Sequence, residues 1–207
     1  MVRTELNKRS PLRILEKSTK GGIGKGNIGV LSAPKGVGKT ACLVHIATDQ
    51  LFHDKHVIHV SFSDSVDHIV SWYEDIFQEI SRRYQLDCAM EVHDTIIKNR
   101  VIMQFTQDGI HITQIEDSIR ALIEQGHFSA DTLVIDGYDF HRSSSEELKE
   151  FRAFARNFGL ELWFSATMKP EEAEAGNAAS ELPGVLQKLD GEISVVVTLE
   201  PREAFTY

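Results

Sequence analysis

The chain has little that would stabilise it covalently or anchor it. Cysteine occurs only twice, at Cys42 and Cys88, which is too few for a disulfide framework and fits a reducing compartment. No apolar run approaches the roughly 20 residues that span a bilayer. The first residues, MVRTELNKRS, contain no apolar stretch of the kind a secretory signal needs. With five prolines in 207 residues the chain is neither collagen-like nor of low complexity. Basic charge is also in short supply: 31 acidic side chains outweigh 22 basic ones, for a net charge of −9. Such a surface repels phosphate backbones, so nucleic-acid binding would require a local basic patch. At this length a single core burying roughly 70% of the unfolded surface is within reach. The expectation is one soluble, cytoplasmic globular domain.

Apolar runs alternate with helical periodicity. Ile28–Ser32 reads as a buried strand, and Leu43, Val44, Ala47 and Leu51 mark a helix over Thr40–Leu51. Val57–Phe62 is a second strand. A long amphipathic helix follows from Val66 to Ile80. Val101–Phe105 is a third strand, closed by the turn signal Gln107-Asp108-Gly109. Ile115, Ile119, Leu122 and Ile123 mark another helix, and Thr132–Ile135 a fourth strand. Ser143, Ser144 and Ser145, with Glu146 and Glu147, supply a capping box for a helix that runs to about Phe158. Leu160–Phe164 and Ile193–Leu199 are the last strands. Cys88–Asn99 shows no clear pattern. The alternation predicts an α/β fold in three layers, a mainly parallel sheet with helices on both faces. Residues 1–20 form a lead-in and 21–207 the domain.

The most specific segment is Ala33-Pro34-Lys35-Gly36-Val37-Gly38-Lys39-Thr40, between the first strand and the first helix. It resembles the Walker A pattern GxxxxGK[ST], with alanine at the first position. Glycines let successive backbone N–H groups curl around an anion, and the helix that begins beyond them adds partial positive charge. In this reading Ala33–Ala41 binds the phosphates of ATP or ADP, Lys39 reaches the terminal ones, and the Thr40 hydroxyl meets Mg²⁺. The residues ahead of the loop, Gly21-Gly22-Ile23-Gly24-Lys25-Gly26-Asn27-Ile28, look like the lead-in of the RecA/KaiC-like ATPases. Leu133-Val134-Ile135-Asp136 looks like that family's Walker B strand, and Leu162–Lys169 resembles its fifth strand with a polar sensor at the tip. Leu189-Asp190-Gly191-Glu192-Ile193 is similar to the run that enters its late strands. The resemblance implies a RecA-like core that binds ATP with Mg²⁺ and assembles with copies of itself or with a protein partner.

It also assigns roles. Asp136 would orient a Mg²⁺-bound water beside Thr40. Asp64 stands near the family's water-activating acidic position, but Ser63 occupies the usual place and Asp64 lies one residue later, so low turnover is expected. Asp64 or Ser65 could instead cap the helix that follows. Thr167 or Ser165 could sense the γ-phosphate, and Lys169 could supply a cation. His53, His56 and His59 cross three different elements and make no metal site, and Phe151, Phe154 and Phe158 read as core packing. The leading expectation is an ATP-binding protein, a slow Mg²⁺-dependent ATPase serving as an assembly or regulatory switch. A DNA-handling ATPase and a P-loop kinase of small molecules or nucleotides are the alternatives. The two segments that would line a DNA channel, Gly137–Glu147 and Lys169–Lys188, are dominated by carboxylates. No appreciable affinity for single- or double-stranded DNA is therefore expected at physiological salt, with or without ATP. Fluorescence-anisotropy titration checks this, and submicromolar, salt-sensitive binding would contradict it.

Overall fold

A computed structural model describes residues 22–84, 89–106, 111–169 and 182–200. The elements run β1 (Ile28–Pro34), α1 (Lys39–Phe52), β2 (Val57–Ser61), α2 (Val66–Tyr84), α3 (Ala89–Lys98) and β3 (Arg100–Gln104). They continue with α4 (Ile112–Glu124), β4 (Thr132–Asp136), α5 (Ser145–Phe158), β5 (Glu161–Met168), α6 (Gly184–Gln187), a 3₁₀ turn (Asp190–Glu192) and β6 (Val195–Thr198). The six strands form one sheet in the order β3-β2-β4-β5-β1-β6, and every pairing is parallel. No helix among the described residues is long and apolar enough to cross a membrane.

Side chains alternate between the two faces of each strand. Val30, Ile58, Val60, Leu133, Ile135, Leu162 and Phe164 enter one core cluster, with Ile115 and Ile119 of α4 and Phe151 and Phe154 of α5. Leu31, Val57, Val134 and Trp163 enter the other, with Leu43 and Ala47 of α1, Ile69 and Tyr73 of α2 and Ile96 of α3. Helices thus cover both faces. The predicted phenylalanine stripe is core: Phe151 packs edge-on to Phe164, and Phe154 lies against Phe158. The capping box of α5 forms through Ser144, whose hydroxyl accepts from Glu147 N at 3.2 Å while Glu147 Oε2 accepts from Ser144 N at 2.9 Å.

The differences from expectation have physical causes. Both β1 and β5 run past their expected ends, because Ala33 and Pro34 pair in register with Thr167 and Met168. The patternless Cys88–Asn99 contains α3. Among its described apolar side chains, Val92 and Ile96 join the core, while Met90 and Ile97 are exposed. So narrow an apolar face gives little periodicity. The expected sixth strand starts two residues late, because Asp190–Glu192 forms the 3₁₀ turn. The Gln107-Asp108-Gly109 turn and the 1–20 lead-in lie outside the described residues.

One buried polar group stands out in the face under α1–α3. His59 is fully buried, with Nδ1 3.1 Å from the Tyr73 hydroxyl. Loss of solvent, with repulsion from Arg100 adding to it, pulls its imidazole down from the ordinary 6.5 to about 3. Below pH 6.5 the unfolded chain takes up a proton at His59 that the folded chain refuses. Folding stability should therefore fall as pH drops from 6.5 towards 3, by up to about 5 kcal/mol from this group. Urea denaturation across that range measures the slope, which His59→Leu should reduce by as much as one proton.

Candidate functional site

Parallel strands deliver all their carboxyl ends to one edge, and loops there meet helix N-termini. At this edge β1 leads into the loop Lys35–Gly38, which opens α1. Gly36 and Gly38 hold φ of 85° and 99°, and a Cβ at either would meet no atom within 4 Å. Backbone conformation, not crowding, therefore requires glycine, and Gly38 is the left-handed N-cap of α1. Lys39 folds back across the loop, where Nζ donates to the carbonyls of Ala33 at 3.1 Å and Pro34 at 3.0 Å. Burial draws this ammonium below its ordinary value, and the nearby Asp136 charge partly restores it.

Asp136 ends β4 and is 2% exposed. Its Oδ2 accepts from the Thr40 hydroxyl at 2.7 Å and its Oδ1 from the Ser165 hydroxyl at 2.6 Å. Ser165 also accepts from Gly137 N at 2.8 Å. Hydrogen bonds to both oxygens offset the cost of burying the carboxylate. Thr40 and Asp136 bring a hydroxyl and a carboxylate together beside the loop Lys35–Gly38, an all-oxygen set that suits a hard divalent cation. The structure thus joins Lys39, Thr40 and Asp136, which lie up to 97 positions apart in the chain.

The chain matches no protein-family model, and no curated protein shows significant similarity to it.

β5 lies between β1 and β4, so its end borders both the loop and Asp136. The two sensor candidates separate there. Ser165 is buried and committed to Asp136, whereas Thr167 is exposed beside Ala33, its carbonyl 3.3 Å from His141 Nε2. Lys169 is exposed just beyond. Ser63 packs on Gly137, where φ is 80° and an added Cβ would fall 2.7 Å from the Ser63 hydroxyl. Asp64 is tied by its main chain to Ser61, whose hydroxyl accepts from Asp64 N at 3.0 Å and donates to Asp64 O at 2.9 Å. Its carboxylate lies 3.0 Å from His68 Nδ1. Ser65 makes the helix cap, with its hydroxyl 3.3 Å from His68 N. Cys42, one turn into α1, is half-buried and its thiol is pushed up by burial, which disfavours the reactive thiolate. Arg142 lies 3.5 Å from Asp139 and offers no isolated cation.

His68, the neighbour of Asp64, stands outside the His53, His56 and His59 run weighed and rejected as a metal site. The available signal was its position four residues after Asp64 at the start of a helix, the spacing at which side chains meet.

Ser165→Ala should leave one Asp136 oxygen and the Gly137 N–H without their buried partner, at a cost of roughly 1–3 kcal/mol. Thermal melting should drop by several degrees. The exposed neighbour Thr167→Ala should stay within about 0.5 kcal/mol of the parent.

Proposed function

We propose that this protein binds ATP and ADP with Mg²⁺ in a RecA/KaiC-like core and acts as a slow ATPase, serving as a nucleotide-dependent switch for self-assembly or for a protein partner. The observation that carries the proposal is the junction of Lys39 and Thr40, at the start of α1, with Asp136 at the end of β4. The all-parallel sheet supports it, since β5 separates the loop strand from the Asp136 strand and sets a polar tip between them.

In this reading the loop N–H groups and the N-terminus of α1 receive the phosphates. Lys39, already partly desolvated, exchanges two carbonyls for phosphate oxygens. Thr40 and Asp136 hold Mg²⁺, which neutralises phosphate charge. Because Lys39 and Thr40 are both bonded to protein atoms, binding must replace contacts to the loop and to Asp136. That replacement couples occupancy to β4 and β5, as a switch requires. Lys35 of the loop and Lys169 beyond β5 are exposed cations, and no contact among the described residues gathers them into a second phosphate site, which leaves a kinase reading without an observation in its favour.

Isothermal titration with ATP or ADP and Mg²⁺ should show binding. Lys39→Ala should weaken it by roughly one to two decades, as expected for losing a charge-assisted hydrogen bond. Unchanged affinity in that variant would overturn the proposal.

A further inference from the structure

Two contacts of Ser165 together fix the direction of its single proton. Gly137 N lies 2.8 Å from the hydroxyl oxygen and can only donate, so the oxygen accepts there. The proton is then left for Asp136 Oδ1, 2.6 Å away. Gly137 directly follows Asp136, so the two bonds close a small ring that ties the carboxylate to its own main chain. Water is kept from this ring, since Ser165 is 1% exposed and Asp136 2%.

The strand that carries the hydroxyl is held from both sides. Ser165 is in register with Leu31 of β1, and the preceding Phe164 is in register with both Val30 of β1 and Ile135 of β4. A side chain on such a central strand is placed more closely than one on a loop. Thr167, two residues on, makes no equivalent contact: it is exposed, and His141 meets its carbonyl, not its hydroxyl. The two oxygens of Asp136 are also unlike. Oδ2 accepts from Thr40, the hydroxyl that must change partner when a cation is taken up. Oδ1 accepts from Ser165, which is no part of the proposed ligand pair, so that bond can persist through the exchange.

We propose that Ser165 is the positioning residue of the candidate cation site: by holding Asp136 Oδ1 it keeps Oδ2 directed towards Thr40 while the Thr40 bond is exchanged for the ion. The inference rests on the nucleotide reading above, and it adds to that reading a side chain that touches neither nucleotide nor metal. Its physical basis is a competition. Without the hydroxyl, the Gly137 N–H loses its buried acceptor at the same moment as Oδ1 loses its donor. The carboxylate and the amide had shared one hydroxyl, so the carboxylate then turns about its Cβ–Cγ bond to serve the amide, and Oδ2 leaves its direction. Hydrogen bonds to a ligating carboxylate set metal affinity for this reason.

The experiment titrates Mg²⁺ into the full chain and reads the affinity for a fluorescent ATP analogue, with EDTA supplying the metal-free point. The quantity compared is the Mg²⁺ concentration that gives half of the gain in affinity. Ser165→Ala should raise it by roughly ten- to a hundredfold, while affinity in EDTA stays within about twofold. Ser165→Cys fills the same space with only a weak donor, so it should fold where the alanine variant does not and shift in the same direction. Ser165→Thr keeps the hydroxyl and should stay within about threefold of the parent. A merely structural role would lower affinity with and without the metal alike. That outcome overturns the inference, as does a parental midpoint in the folded alanine or cysteine variant, or a threonine variant as impaired as alanine. A parent that binds the analogue equally well in EDTA and in Mg²⁺ also overturns it, while leaving nucleotide binding in place. Absence of binding in the parent would instead remove the proposed function, and this inference with it.

Discussion

Burying the Asp136 carboxylate is the constraint on which the candidate site depends. An ionised carboxylate loses several kcal/mol of solvation on leaving water, and only hydrogen bonds and nearby positive charge offset that loss. Here the offset comes from three side chains on two other elements: Thr40 and the Lys39 ammonium of α1, and Ser165 of β5. Meeting one electrostatic requirement therefore aligns the start of α1, the β4 end and the β5 end. The Lys39 contacts to Ala33 and Pro34 tie the loop to its own strand as well.

The two faces of the sheet have different characters. The face under α4 and α5 is apolar and aromatic, with Tyr138, Phe140, Phe151 and Phe164 in mutual edge contact. The face under α1–α3 carries a line of buried polar groups, His59 and Ser61 on β2, Asp136 on β4 and Ser165 on β5. Tyr73 of α2 reaches this line through His59, and Arg100 of β3 lies 4.2 Å over the Tyr73 ring. Both faces bury an apolar cluster, and on the α1–α3 face the polar line adds hydrogen bonds at the strand ends.

Much of the fold was legible because it follows from local rules. Period-two apolar runs separated by period-3.6 helices imply a parallel sheet covered on both sides, and the capping box at Ser144 and Glu147 marked the start of α5. The glycine turn ahead of α1 was legible for a similar reason, since glycine at positive φ before a helix leaves a trace in sequence. Helix α3 was not, because a ten-residue helix with a narrow apolar face looks like a loop.

From the sequence alone came the alternation of elements, the glycine turn within residues 33–41 and the candidacy of Lys39, Thr40, Asp64 and Asp136, all of which depend on spacing within a few residues. Only the tertiary structure decided how strands far apart in the chain are ordered, and that order sets which side chains touch. It assigned Ser165 to Asp136 and left Thr167 at the surface, although both stand on the same strand two residues apart. It also turned Asp64 onto His68, because the Ser61 hydroxyl fixes the main chain at the end of β2 and the first turn of α2 brings the imidazole over the carboxylate. Strand order and the exit angle of a helix depend on packing between distant segments, and no local pattern encodes them.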